Sequence, residues 1–270
     1  MRFSVQENDF VFPFSWLGFD LSALSLASKL LMLYGLLMWL ALGITYIISL
    51  SDARTIREVG IWVKPMKFMA ATALFAWTTV AVAELANSSL THGAAYTGIC
   101  SLLFATSLFE VVYITYQASQ GAASHYNTSD SWHALMFGLM ALAAVGLTAT
   151  QGWLAWEIWR AEGAKPLAVT TWGVIAGLTL TFILSTISGF MLGGHQPPAG
   201  SGLPLVGWHV YNDVRPAHFL GVHAQQLIPL WGLFAERFLG NHAPHALTAG
   251  CSVYVVLWGL LTWSSLANGV

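Results

Sequence analysis

Long apolar runs separated by short polar stretches dominate the chain. Seven such segments occur, and each comes near the roughly 20 residues needed to cross the hydrocarbon core of a bilayer. They cover about residues 24–50, 66–86, 94–119, 132–158, 168–193, 217–239 and 246–267. Because an open sheet leaves backbone groups unsatisfied in lipid, every segment is predicted to be a helix. The pattern therefore predicts an all-α fold, an integral membrane bundle of seven transmembrane helices.

The amino-acid composition also indicates that the chain lies in a lipid bilayer. Of its 270 residues, 56% are hydrophobic and 8% are charged, against about 25% charged in soluble domains. This length suits a single transmembrane domain over residues 24–270, preceded by an interfacial segment over residues 1–23. The net charge of −2 supplies no basic surface, so no nucleic-acid partner is expected. A homo-oligomer is left open.

Polar residues gather at one face of the predicted bundle. We call side B the face with the loops after the first, third and fifth segments, and side A the opposite face. Most of the nine histidines fall in or next to the side B loops. Lysine and arginine divide evenly between the two sides, so the positive-inside rule predicts no orientation.

The third segment carries a polar face that reaches into the membrane. Thr106, Glu110, Tyr113 and Gln117 recur at spacings that place them on one side of a helix. By helix rise, Glu110 lies about 13 Å below side B. A carboxylate at that depth must be protonated, paired with Lys, Arg or His, or bound to a cation.

The stretch 208–229 carries a second polar group into the membrane. Asp213 and Arg215 precede a predicted helix start at Pro216, and His218 and His223 follow within it. Polar side chains at membrane depth are a functional hypothesis by default.

Together these residues predict a membrane-embedded haem or transition-metal site (Fe, Cu or Zn) opening to side B. Imidazole and carboxylate groups suit such metals. The candidate metal ligands are His125, His195, His218 and His223. Glu110 and Asp213 are the candidate catalytic carboxylates. The candidate cofactor-binding residues are Lys64, Lys67, Arg215, Gln117 and Gln226. This hypothesis implies redox chemistry or electron transfer, as in a membrane oxidoreductase, with a membrane electron donor or acceptor as partner.

Helix geometry limits the simplest form of this site. Residues five apart point about 140° apart on an α-helix, so His218 and His223 do not share a metal on a regular helix. A structural interpretation also stands beside the metal: His133 and His218 fall where a side chain caps a helix start. A hydrogen bond between Glu110 and His223 would likewise satisfy both groups.

Two other functions fit the same residues. Chains of Glu, His, Gln and Tyr at membrane depth are typical of proton relays, which indicates a proton-coupled transporter or channel. A carboxylate and histidines at one face also suit a zinc-dependent hydrolase acting on lipid. In architecture alone, the chain resembles seven-helix zinc hydrolases such as alkaline ceramidases. Their His-x-x-x-His helix is absent, because His218 and His223 are one residue too far apart.

Three side B motifs carry a further resemblance. They are Lys64-Pro65-Met66-Lys67-Phe68, Ser124-His125-Tyr126-Asn127 and Asp213-Val214-Arg215-Pro216-Ala217-His218-Phe219. The chain resembles a family of uncharacterised bacterial multi-pass membrane proteins over its second to sixth segments. That resemblance implies a bacterial inner (plasma) membrane and brings no activity with it.

Overall fold

Seven α-helices make up most of the part of the chain that the structure describes. The computed structural model describes residues 22–162, 167–200, 202–203 and 207–267. The helices in these ranges are α1 (Leu26–Ser49), α2 (Val63–Asn87), α3 (Ala94–Ser119), α4 (Ser131–Glu162), α5 (Val169–Gly194), α6 (Arg215–Leu239) and α7 (Ala243–Ala267). Each coincides with one predicted apolar segment to within four residues at either end, and the largest difference is that α4 continues to Glu162. The predicted interfacial segment 1–23 lies outside the described residues, except for Ser22 and Ala23.

The helices are long and apolar enough to place the chain in a membrane. Six helical stretches in the described residues meet both requirements for a span. The sixth, Arg215–Leu266, is 52 residues long and includes both α6 and α7. The chain is therefore an integral membrane protein, with at least six helical stretches suited to a bilayer.

A small β-hairpin in the loop between α1 and α2 departs from the all-α prediction. Strands β1 (Thr55–Ile56) and β2 (Val59–Gly60) pair antiparallel. The two residues between them, Arg57 and Glu58, have φ of 52° and 66°, as in the turns that suit two-residue hairpins. Hydrophobic periodicity over two-residue strands is too short to reveal such an element.

Helices α5 and α6 form the most extensive helix pair, and glycine lets their backbones approach closely. A Cβ added at Gly177 would lie 2.7 Å from Pro229 Cδ and 2.9 Å from the Ala224 carbonyl oxygen. A Cβ at Gly221 would lie 2.7 Å from the Ser185 nitrogen. Small residues at a contact are the usual means by which membrane helices pack. This pair therefore fixes where the histidines of α6 lie relative to α5.

Candidate functional site

The three side B loops are joined to one another by hydrogen bonds. The Arg57 guanidinium donates to the Pro197 carbonyl over 2.7 Å, and the Arg57 carbonyl accepts the Gly200 N–H over 3.1 Å. The Tyr126 hydroxyl donates to the carbonyl of Leu192 near the end of α5. The loops after α1, α3 and α5 thus form one connected cover, which we call the side B cover.

Backbone strain concentrates in the side B cover. Within the part of the chain that the structure describes, the non-glycine residues with positive φ are Arg57, Glu58, Tyr126 and Asn212. For ordinary L-residues the left-handed conformation costs on the order of 1–2 kcal/mol. It persists where surrounding contacts impose it, and such positions cluster at functional sites. All four belong to the cover, and two of them, Arg57 and Glu58, form the turn of the β-hairpin.

Asp213 anchors the cover to the start of α6. Its side chain is fully buried, and Arg215 Nε lies 2.8 and 3.0 Å from the two carboxylate oxygens. The backbone N–H groups of His209 and Arg215 donate to the same carboxylate over 2.7 and 3.0 Å. The Asp213 carbonyl accepts the Ser265 hydroxyl of α7 over 2.8 Å. Because these donors occupy the carboxylate, the contacts describe an anchor, and the predicted catalytic role of Asp213 stays a prediction.

Lys64, Glu110 and His125 lie together beneath the cover, and we call them the inner cluster. Glu110 lies in the middle part of α3, and its carboxylate-bearing residue is only 6% exposed. The Lys64 ammonium, in the first turn of α2, is close enough to interact electrostatically with both the Glu110 carboxylate and the His125 ring. It also lies 5.9 Å from the centroid of the Phe68 ring. Of the charged partners that the sequence allowed for Glu110, a lysine lies within electrostatic range.

His125 sits in an aromatic pocket at the edge of the inner cluster. Its ring lies between Phe68 and Phe137, with centroid distances of 6.2 and 6.0 Å. Its Nδ1 lies 3.1 Å from the Ser124 hydroxyl oxygen. Burial, aided by the positive charge of Lys64, lowers the pKa of His125 to about 3. The imidazole is therefore neutral at physiological pH and can relay a hydrogen bond without carrying charge.

His218 bonds to a residue of α5, whereas His223 bonds within α6 to Gln226, which in turn reaches α2. His218 Nδ1 lies 3.1 Å from the Ser188 hydroxyl of α5. His223 Nδ1 lies 3.2 Å from Gln226 Oε1, and Gln226 Nε2 donates to the Thr78 hydroxyl of α2 over 3.0 Å. The divergence agrees with the angular argument from sequence, although the two rings remain within electrostatic range.

The remaining predicted residues lie at the surface of side B. Lys67 is exposed and interacts electrostatically with Arg215 and Asp213. His195 is exposed, follows the last residue of α5, and accepts the Tyr126 hydroxyl on its carbonyl over 3.3 Å. His133 is partly buried at the start of α4, where its Nδ1 lies 2.6 Å from the Asp130 carboxylate. All three positions are thus at side B.

The predicted metal ligands are distributed over separate places. His125 lies beside α2, His195 at the surface, and His218 and His223 on different faces of α6. In the described ranges, no group of three or more His, Cys, Asp or Glu side chains is arranged to hold one ion. The haem or transition-metal site therefore stays a prediction, and the described residues form no shared ligand set for it.

Sequence reasoning missed a longer polar line on α3. Tyr96, Cys100, Ser107, Glu110 and Gln117 share its inner face and are each at most 6% exposed. The signal in the sequence is the spacing of 3, 4 and 7 residues along this face. Extended toward side A, it brings hydroxyl, thiol, carboxylate and amide groups into one row.

Helix α1 supplies partners for this line. The Tyr34 and Ser107 hydroxyls lie 2.9 Å apart. Nearer side A, the Ser28 hydroxyl lies 3.2 Å from the Tyr96 hydroxyl and donates to the Glu84 carboxylate over 3.3 Å. Glu84, near the side A end of α2, is thus linked to the interior.

Two buried leucines separate the two halves of the line. Leu31 and Leu103 are 2% and 0% exposed. They lie on the same faces of α1 and α3 as the polar residues and between them in sequence. By helix rise the interruption on α3, from Ser107 to Cys100, spans about 10 Å.

No family model, curated protein or solved structure matches the chain. The resemblance to bacterial multi-pass membrane proteins therefore stays a prediction, and the interpretation of the site depends on its own residues.

Proposed function

We propose that this protein transfers protons between the two faces of a membrane. The path runs between α1, α2 and α3, and Glu110 is its central proton-exchanging group. The observation that carries the proposal is the buried polar line on the inner face of α3, from Gln117 near side B to Tyr96 near side A. In a membrane, carboxylate, hydroxyl and histidine chains at depth are the groups that proton relays use.

The inner cluster provides the side B half of this path. His125 offers a neutral ring close to the loop surface, and Lys64 lies within electrostatic range of both His125 and Glu110. A cation beside a buried carboxylate favours its ionised form. Lys64 therefore helps Glu110 to release a proton that burial alone would hold.

The side A half begins one turn below Glu110. Ser107 and Tyr34 form one hydroxyl pair, and Ser28, Tyr96 and Glu84 form a second group nearer side A. Leu31 and Leu103 close the space between them. Protons cross this closed part when water enters between the leucines, which makes it the gate of the proposed path.

Glu110→Gln keeps the size of the side chain and removes its exchangeable carboxyl proton. We expect this change to lower proton flux roughly 100-fold, the low end of what a positioned acid–base group contributes. Purified protein is placed in phosphatidylcholine vesicles that contain a pH-sensitive dye. Flux is measured after an external pH step, with valinomycin and potassium clamping the membrane potential.

Glu157→Gln is the matched control for this experiment. Glu157 lies near the side A end of α4, where it pairs with Arg160 over 2.7 Å and takes no part in the α3 line. The Glu157→Gln variant should conduct protons as fast as the unchanged protein. Flux no higher than that of protein-free vesicles, or equal flux in Glu110→Gln, would contradict the proposal.

We also propose that α6 and α7 cross the membrane separately, giving seven spans. Gly240 ends α6 with φ of 50°, and a short 3₁₀ turn leads into α7. Trp231 Nε1 donates to the Ala246 carbonyl over 2.9 Å, and the Tyr254 hydroxyl donates to the Leu220 carbonyl over 2.5 Å. These two contacts describe an antiparallel hairpin, which supports two spans. A bacterial inner membrane is the proposed location.

The haem or metal proposal makes a separate prediction, because an absorption spectrum and elemental analysis are independent of flux. A redox protein should show a Soret band or stoichiometric iron or copper, and a lipid hydrolase should show stoichiometric zinc. The signal should fall in His223→Ala, since His223 is the deepest candidate ligand. A colourless, metal-free protein would remove both metal-dependent functions.

A further inference from the structure

Lys64 directs its side chain into the membrane. The residue lies in the first turn of α2, and its ammonium lies 5.9 Å from the centroid of the Phe68 ring, one turn further along the helix. Lysines near the ends of transmembrane helices usually extend to the interface, where water solvates the ammonium. An ammonium that points inward loses part of that solvation, so a negative group has to lie near it.

No direct ion pair meets this need in the part of the chain that the structure describes. Each of the ion pairs there involves another basic residue. Lys64 interacts electrostatically with the Glu110 carboxylate, but the two groups make no ion pair within 4.0 Å. Neither side chain has a hydrogen-bond partner among the described residues. The ammonium and the carboxylate therefore lie near each other with no protein hydrogen bond between them.

The net charge of the inner cluster depends on whether Glu110 holds a proton. While the carboxylate is ionised, its negative charge offsets the ammonium of Lys64. After Glu110 takes up a proton, Lys64 is left as an uncompensated cation under the side B cover, which is strongly unfavourable. The His125 ring cannot offset this charge, because burial lowers its pKa to about 3 and the ring is neutral near pH 7. An anion from solution restores the balance.

We propose that the inner cluster binds one small monovalent anion from side B when Glu110 is protonated. One positive charge is available, which limits the anion to a single negative charge. The Lys64 ammonium donates to the anion. His125 Nε2 donates a second hydrogen bond when the Ser124 hydroxyl donates to Nδ1 over 3.1 Å. The proposed anion site rests on the proposed function, because Glu110 has to take up a proton before the anion binds.

The surroundings of the cluster limit the size and the route of the anion. The Phe68 and Phe137 rings lie 6.2 and 6.0 Å from the His125 ring, measured between centroids. These aromatic rings restrict the space to a small ion. Leu31 and Leu103 are buried between the cluster and side A, so the anion enters from side B.

Glu110 is the group whose titration controls the site between about pH 5 and pH 7. The other titratable groups on the surrounding elements are Lys64 on α2, His125 before α4, Tyr34 on α1 and Tyr113 on α3 itself. Lysine and tyrosine side chains keep their protons in this range, and His125 is already neutral. At the start of α4, Asp130 and His133 pair with each other near the protein surface, where solvent screens their effect on Glu110.

The test is equilibrium binding of radioactive chloride to the full chain in phosphatidylcholine nanodiscs, with protein-free nanodiscs as the background. We expect saturable binding of one chloride per chain near pH 5. Because one proton is taken up with each anion, the affinity should fall by up to about tenfold for each pH unit as Glu110 ionises.

Glu110→Gln keeps the cluster in the charge state of the protonated carboxyl at every pH. This variant should bind chloride as tightly near pH 7 as near pH 5, because Lys64 has no negative neighbour at either pH. Lys64→Met keeps most of the length of the side chain and removes its charge. It should weaken chloride binding about tenfold or more, as expected for a lost hydrogen bond from a charged group.

Lys29→Met is the matched control for the loss of a lysine. Lys29 is exposed on α1 near side A, where its ammonium donates to the Ser22 carbonyl over 3.0 Å. The Lys29→Met variant should bind chloride as tightly as the unchanged protein.

The variants also separate the anion site from the proposed function. No saturable binding in Glu110→Gln, or equal binding by Lys64→Met, would overturn the anion site and leave proton transfer untouched. Binding by Glu110→Gln with none by the unchanged protein would mean that Glu110 never takes up a proton, which overturns both. Equal affinity of the unchanged protein near pH 5 and pH 7 would overturn the link to Glu110. If Lys64→Met does not fold, the comparison of Glu110→Gln with the unchanged protein decides alone.

Discussion

Gly177→Leu is expected to lower the free energy of unfolding by about 3 kcal/mol, the upper end of the usual cost of overpacking. The reason is that the added Cβ would meet Pro229 Cδ at 2.7 Å and the Ala224 carbonyl oxygen at 2.9 Å. The second of these is backbone, and the proline ring is rigid, so neither neighbour can rotate away. Detergent-solubilised protein, unfolded by heat and followed by circular dichroism, measures the change.

Gly193→Leu separates this packing effect from the general effect of replacing a helical glycine. Gly193 lies on the same helix, and a Cβ there would meet nothing within 4 Å. Its thermal midpoint should stay near that of the unchanged protein. Equal midpoints for Gly177→Leu and Gly193→Leu would mean that the close approach of α5 and α6 is wrong.

Asp213→Asn is expected to cost about 2 kcal/mol of folding stability at neutral pH. Breaking a fully buried ion pair costs about 3–5 kcal/mol, and a surface pair is worth about 0–1 kcal/mol. The Asp213 side chain is 0% exposed and that of Arg215 is 32% exposed, so solvent screens part of the loss. Glu157→Gln, which breaks a pair whose arginine is 64% exposed, should change stability less.

The contribution of Asp213 to folding stability should also depend on pH. Burial alone would raise the pKa of its carboxyl, but hydrogen bonds from the Arg215 guanidinium and from two backbone N–H groups outweigh it and lower the pKa. The ionised carboxylate therefore stabilises the fold above its unfolded pKa of about 3.9. That contribution is lost as pH falls through the lower, folded pKa.

Unfolding at a series of pH values checks this sign. The stability difference between the unchanged protein and Asp213→Asn should be constant around neutral pH and shrink below about pH 4. A difference that grows on acidification would show that Asp213 is protonated in the fold and that its pairing with Arg215 is wrong.

The helices could be predicted closely from the sequence, because each apolar run is bounded by polar residues or proline. The β-hairpin could not, since Arg57 and Glu58 lack the glycine or asparagine that usually marks such a turn. The angular separation of His218 and His223 was predictable from helical repeat alone. The Gln226 partner of His223 lies three residues along the same helix, but the Ser188 partner of His218 depends on how α6 packs against α5.

The candidate site was predictable only in part for a related reason. The burial of Glu110 follows from its place in an apolar run, and three kinds of charge partner satisfied that requirement equally. Which of them is near depends on which helix packs against α3, and the structure places Lys64 there. The contact between Tyr34 and Ser107 joins residues on two helices, so no local sequence pattern predicts it.

Infrared difference spectroscopy tests most directly whether Glu110 exchanges protons. Protein in vesicles is stepped between two pH values in ordinary water and in heavy water, and the carboxylic C=O region is compared. If Glu110 exchanges protons, a carboxyl band should change with the step, shift in heavy water, and be missing from Glu110→Gln but present in Glu157→Gln. A carboxyl region that does not respond to the step, or a response that persists unchanged in Glu110→Gln, would contradict it.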